Sequence, residues 1–131
     1  MHVINTLLVD DSSAFLSAVV KFLAAFPHIR VVGQAQSGTE ALGLIAQLRP
    51  ELALVDLAMP QMNGLELTRR IKALANPPKV IMLTVATSPE YRDYAHHAGA
   101  EGFLNKDHIA LKLMPRIDAL FGGRNTNGEK S

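Results

Sequence analysis

The stretch "LLVDDS" (residues 7–12) decides how this chain is read. An apolar run stops abruptly at two adjacent acids, Asp10 and Asp11. Residues 7–9 are apolar at consecutive positions rather than alternating ones, the pattern of a strand covered on both faces. The same pattern returns at "LALV" (52–55) and "KVIMLT" (79–84), with "INTLLV" (4–9), "IRVVGQA" (29–35) and "GFLN" (102–105) completing a set of short β-rich runs.

Between these runs the apolar period lengthens to three and four residues. Phe15, Val19, Leu23 and Phe26 share one helical face before Pro27, and Ala41, Leu44, Ile45 and Leu48 share another before Pro50. Leu67, Ile71 and Leu74 precede Pro77 and Pro78, and Leu113, Ile117 and Leu120 precede Gly122 and Gly123. Ser37 with Glu40, and Asn63 with Glu66, have capping-box spacing, Ser88-Pro89 suits a helix start, and Asp107 is expected to cap the last helix. The sum is five strand–helix repeats. Right-handed crossovers turn these into an α/β domain, an open parallel sheet with helices on both faces.

Composition agrees. A chain of 131 residues predicts one domain, here residues 1–121, with the polar, Gly-rich 122–131 as a loose tail or truncated linker. With 48% apolar residues the chain is not of disordered type. A net charge of +1 argues against a dedicated nucleic-acid or membrane-surface binder. The absence of cysteine excludes disulfides and thiolate metal sites, and a cytoplasmic location is expected. No apolar segment is long enough to span a bilayer, so no membrane partner is expected.

Ligands of open α/β sheets bind outside the carboxyl ends of the strands, where the strand order switches. On that edge the sequence puts Asp10 and Asp11 after the first strand, Asp56 at the end of the third, Thr84 at the end of the fourth and Lys106 after the fifth. One lysine cannot neutralise three carboxylates. A hard, oxygen-seeking cation can, which selects Mg²⁺, or Mn²⁺, over Zn²⁺. The plainer alternative, that Asp10 and Asp11 only cap the first helix with help from Ser12 and Ser13, does not account for Asp56, Thr84 and Lys106 converging there.

The ordered set "LLVDDS" (7–12), "LALVDLAMPQMNGLEL" (52–67), "VIMLT" (80–84) and "AGAEGFLNK" (98–106) resembles the receiver domain of bacterial response regulators. "VVGQAQSGTEAL" (31–42) is similar to the NarL/FixJ-like branch. The resemblance implies a CheY-like, flavodoxin-type sheet of order 2-1-3-4-5 and a phosphorylation switch rather than an enzyme. It implies that Asp56 is the phosphoacceptor and that Asp11, Asp56 and the backbone carbonyl of Ala58 ligate Mg²⁺, with Asp10 acting mostly through metal-bound water. Thr84 and Lys106 would contact the phosphoryl oxygens, and Phe103 would be the switch aromatic.

The implied partners are a sensor histidine kinase or phosphotransfer protein and a downstream output protein or domain. A homodimer through the fourth helix, fifth strand and fifth helix is the implied self-contact, to which Tyr91 and Tyr94 are candidates to contribute. Three departures from the family pattern stand out. Phe103 replaces a frequent Tyr, Asp107 replaces a frequent Pro, and Val85 stands where smaller residues are common. Val85, with Ala58 offering no side chain to orient water, predicts slow loss of the phosphoryl group. Rival readings are a receiver fragment of a longer DNA-binding regulator, a metal-dependent small-molecule phosphatase, and a flavin module on the same fold. The phosphatase lacks an evident substrate cap. The flavin reading sets phosphate against two acids. Adjacent His96 and His97 are expected to be solvent-exposed rather than metal ligands.

Overall fold

A computed structural model of the chain describes residues 2–85 and 88–122. The elements run β1 (Ile4–Val9), α1 (Ser13–Leu23), β2 (Ile29–Ala35), α2 (Gly38–Leu48), β3 (Leu52–Asp56), α3 (Gly64–Lys72), β4 (Lys79–Thr84), α4 (Pro89–Ala98), β5 (Gly102–Asn105), a 3₁₀ turn (Lys106–His108) and α5 (Ile109–Leu120). The five strands form one parallel sheet in the order β2-β1-β3-β4-β5. The fold expected from the sequence is the one observed. The proposed tail, from residue 123 on, lies outside the described residues.

The consecutive apolar runs are explained by two cores. Side chains alternate across a strand. Leu7, Val9, Ala53, Val55, Val80 and Met82 therefore face one layer, with Ala41 and Ile45 of α2, Leu67 and Ile71 of α3 and Ala95 of α4. Leu8, Leu52, Leu54, Ile81 and Leu83 face the other, with Leu16, Val19 and Leu23 of α1 and Leu113 and Ile117 of α5. Only strands buried on both faces need this pattern, and it holds the strand ends rigidly.

Ser37 caps α2 by accepting from Glu40 N, and Asn63 caps α3 by accepting from Glu66 N. The reciprocal half of each box differs from expectation. Glu40 accepts from Gln36 N at 2.8 Å, and Glu66 turns to Arg70 at 2.9 Å. Ser88 is the N-cap residue of α4 but its hydroxyl donates to the Glu90 carboxylate instead of closing the helix end.

Three local expectations are corrected. α1 ends at Leu23, so Phe26 reaches the core from the following turn, its ring 5.3 Å from Phe22. α3 ends at Lys72, and Leu74 is 41% exposed because the chain tightens, Leu74 N bonding Ile71 O, ahead of Asn76 at φ 53 and the two prolines. Asp107 does not cap α5. It belongs to the 3₁₀ turn, and His108 holds the N-cap position without a side-chain bond. Pro115 is accommodated inside α5. The carbonyl it leaves without a helical donor is that of Leu111, a residue 79% exposed, so water can satisfy it.

Candidate functional site: an acidic cluster bridged by a lysine

β1 and β3 are neighbours in the sheet, so their carboxyl ends deliver Asp10 and Asp56 side by side. β1 lies where the order switches, since β2 is on one side of it and β3 on the other. One carboxylate oxygen from each of Asp10, Asp11 and Asp56 lies within 4.8 Å of the others. Asp10 is 1% exposed, Asp56 5%, and Asp11 is open to solvent. Asp10 also holds the turn into α1, accepting from Ser12 N at 2.8 Å, while Ser12 itself caps the helix by accepting from Phe15 N. Capping and clustering are thus both present, and on different atoms.

Lys106 follows β5 and crosses to the cluster. Its Nζ donates to Asp10 Oδ2 at 2.6 Å and lies 3.1 Å from Asp56 Oδ1. The same ammonium sits 4.1 Å from the centroid of the Phe15 ring. The helical period of α1 marks Phe15 only as a core-facing residue. Nothing in its spacing distinguishes it, since the lysine that it supports is far along the chain. A cation over an aromatic face gains about 0.5–1 kcal/mol at exposed sites and more where desolvated.

Burial pushes the Asp56 carboxyl above its ordinary range, and the Asp10 charge adds to the rise. The hydrogen bond and charge of Lys106 and the backbone N–H of Ala58 oppose it without cancelling it. Burial alone would lower the Lys106 ammonium, but hydrogen bonds to Asp10 and Asp56 and their charges raise it above an ordinary lysine. The site is therefore short of positive charge. Two like charges 4.8 Å apart repel by about 3.5 kcal/mol at an effective dielectric near 20.

The loop after Asp56 is fixed from below. Leu57 N bonds Leu83 O at 3.1 Å, and Gly64 N bonds Leu57 O at 2.8 Å. A Cβ at Gly64 would meet Asp56 O at 2.3 Å. The need for glycine is thus close approach of α3 to the backbone of the acid, not a special φ. Leu57 and Met59 are buried and join the core on that side.

Thr84 is 1% exposed and ends β4 at the same edge, where its register partner is Asn105. Val85 after it is 70% exposed. Phe103 is not part of the cluster. It is 8% exposed within the core, with the Arg92 guanidinium 5.3 Å over its ring. Ala58 is tied to Asp56 through its N–H. His96 and His97 are both exposed, their rings 5.9 Å apart, and Tyr91 and Tyr94 form an edge-on pair with centroids 6.1 Å apart. No helix among the described residues is long and apolar enough to cross a membrane.

Fold and site together define a doubly wound signalling domain with a carboxylate–lysine cluster at its switch point. The chain belongs to the response regulator receiver domain family, whose pattern matches residues 6–118. It is 32% identical to the response regulator GacA of Pseudomonas viridiflava over 121 residues, covering 92% of this chain and 56% of the relative. It is 44% identical to a protein-glutamate methylesterase/protein-glutamine glutaminase of Nocardioides, covering 89% of this chain and 36% of that one. The chain thus spans about half the length, 56%, of the first of these relatives.

Among solved structures it resembles the receiver domain of NarL from Mycobacterium tuberculosis (TM-score 0.86, 29% identity, 95% of this chain and all 100% of that one). It also resembles a LuxR-family regulator from Aurantimonas (TM-score 0.87, 26% identity, 95% and 89% covered). Both of these similar structures belong to NarL- or LuxR-type response regulators. The receiver domain is a signalling switch rather than an enzyme, and the acidic pocket here fits a phosphoacceptor aspartate.

Proposed function

We propose that Asp56 accepts a phosphoryl group from the phosphohistidine of a sensor kinase or phosphotransfer protein. The observation that carries this reading is the meeting of three carboxylates and one ammonium at the switch point. The donor set is entirely hard oxygen, and its negative excess suits a divalent cation, Mg²⁺ or Mn²⁺. Asp10, Asp11, Asp56 and the Ala58 carbonyl would hold that cation, which when bound supplies positive charge against the phosphoryl oxygens.

The protein's own part follows from its geometry. An Asp56 oxygen attacks phosphorus and the histidine nitrogen leaves with the electron pair of the breaking P–N bond. Such transfers depend on positioning and charge neutralisation more than on further covalent help. Lys106 is already within reach of the Asp56 carboxylate and neutralises the transferred group. Thr84, ending the adjacent strand, offers its hydroxyl to a phosphoryl oxygen. Movement of Thr84 toward the phosphoryl group would free space for Phe103, which would change the surface of α4 and β5.

A second reading is favoured by coverage. Since the match covers 56% of GacA and 36% of the methylesterase, the chain would be the receiver portion of a longer regulator, with a DNA-binding output as the form proposed. The test of the primary reading is intact-mass analysis after incubation with acetyl phosphate and Mg²⁺, with and without EDTA. A phosphoryl adduct that requires the metal and disappears in Asp56→Ala is expected. An adduct retained in Asp56→Ala would overturn the assignment.

A further inference from the structure

The contacts around Lys106 close on themselves. Asp10 Oδ1 accepts from Ser12 N at 2.8 Å, and Ser12 Oγ accepts from Phe15 N at 3.2 Å. The Phe15 ring carries the Lys106 ammonium 4.1 Å from its centroid, and that ammonium returns to Asp10 through Oδ2 at 2.6 Å. The backbone and the ring of one residue, Phe15, thus tie the start of α1 to a lysine that follows β5.

The lysine needs holding. Asn105 fixes the backbone beside it by accepting from Asp107 N at 2.8 Å, but the four-carbon stem keeps its own rotamer freedom. Its two carboxylates pull unequally, Asp10 at 2.6 Å and Asp56 at 3.1 Å. A phosphoryl group on Asp56 adds its oxygens on the side of the weaker contact, so the ammonium must be kept from collapsing onto Asp10. An aromatic face attracts the ammonium as a whole charge and does not need one N–H aimed at one atom. The donors can then turn from carboxylate to phosphoryl oxygens while the nitrogen stays in place. The ring is itself confined. Phe15 is half-buried, and the void that it borders with Leu16, Val19, Leu54 and Leu83 is only about 10 Å³, too small for the ring to retreat into.

We infer that Phe15 is a positioning residue for phosphoryl transfer, its ring face holding the Lys106 ammonium between Asp10 and Asp56. This rests on the reading of Asp56 as phosphoacceptor. The rival role is plain packing, since Phe15 also lies against the core shared by α1 and α5. Packing depends on the shape of the ring, whereas positioning depends on the negative charge of its face. Fluorination removes that charge and leaves the shape nearly unchanged, so the two roles are separable.

The test measures the rate of acetyl phosphate adduct formation by timed intact mass in saturating Mg²⁺, with circular dichroism to confirm folding. Acetyl phosphate is small, so the rate contains no docking of a protein donor. Pentafluorophenylalanine placed at position 15 and Phe15→Leu should each slow the adduct by about fivefold. Phe15→Tyr should recover most of the loss. Phe22→Leu, on the same helix but with its ring against Phe26, should leave the rate unchanged. The ε-methylene proton resonances of Lys106 should lie upfield in the parent and return to ordinary positions in Phe15→Leu. A parent-like rate with the fluorinated ring would make Phe15 a packing residue and overturn the inference. So would equal slowing in Phe22→Leu, or an unshifted Lys106 resonance in the parent. If Phe15→Leu does not fold, the fluorinated variant, which keeps the ring, decides. An adduct that forms at one rate in every variant sinks this inference alone, whereas no adduct on the folded parent sinks the phosphoacceptor reading and the positioning role with it.

Discussion

Replacing Lys106 by Met removes the ammonium while keeping a long side chain over Phe15. The lysine side chain is 15% exposed, and the carboxylates it serves are 2% and 6% exposed. Removing one partner of a buried pair costs about 3–5 kcal/mol, because the other charge remains buried. Asp10 keeps its bond from Ser12 N and Asp56 its bond from Ala58 N. The lower end, about 3 kcal/mol in EDTA, is therefore expected.

Urea unfolding followed by circular dichroism reads this directly. The decisive arm is Mg²⁺. A cation at about ten times its dissociation constant adds about 1.4 kcal/mol by mass action. The variant, carrying three acids and no lysine, should bind the cation more tightly than the parent and recover a larger share of its loss. A loss under about 0.5 kcal/mol in EDTA, the range of an ordinary surface substitution, would refute the claim that this contact is a buried, charge-balancing one. Equal stabilisation of parent and variant by Mg²⁺ would refute the claim that lysine and metal answer the same excess of negative charge.

Other outcomes follow from the same geometry. Asp56→Asn should raise metal-free stability at neutral pH by about 1 kcal/mol, since it relieves repulsion with Asp10 that the dielectric-screened Coulomb law puts at a few kcal/mol, less what Lys106 loses. Because the folded carboxyl of Asp56 titrates above its ordinary value of 3.8, the folded state binds that proton more tightly than the unfolded chain. Stability contributed by this group therefore falls as pH rises upward from that value, and subtracting the Asp56→Asn profile in EDTA should isolate a negative slope. Gly64→Ala should cost about 2–3 kcal/mol, an overpacking penalty, and reduce the acetyl phosphate adduct, because its Cβ would collide with Asp56 O. The phosphorylated protein should outlast seconds in Mg²⁺ buffer and decay faster in Ala58→Asn, whose side chain can orient water. Timed intact-mass measurements check both.

The strands were legible because both faces are covered. Leu7, Leu8 and Val9 could be apolar in succession only if each neighbouring layer is protein. The cluster was legible for a related reason, since parallel strands put all their carboxyl ends on one edge. What escaped depended on tertiary detail. Phe15 supports Lys106 through space, and no spacing along α1 reports it. Phe26 continues the helical period of α1 yet sits in a turn, because a residue can reach the same core after the helix has ended. Asp107 looked like a cap, but the 3₁₀ turn moves the start of α5 two residues onward.

Lys106 and Asp10 are separated by 96 positions in the chain. On a ribosome the acids of β1 and β3 emerge well before the lysine that balances them. Every intermediate without a docked β5 holds its aspartates together unaided, and contacts so distant in sequence carry the largest loop-closure cost. Completion of the last strand therefore coincides with completion of the charge balance. A chain ending before Lys106 would carry Asp10, Asp11 and Asp56 without their counter-charge, so phosphoryl acceptance at Asp56, as proposed above, would wait on the docking of β5.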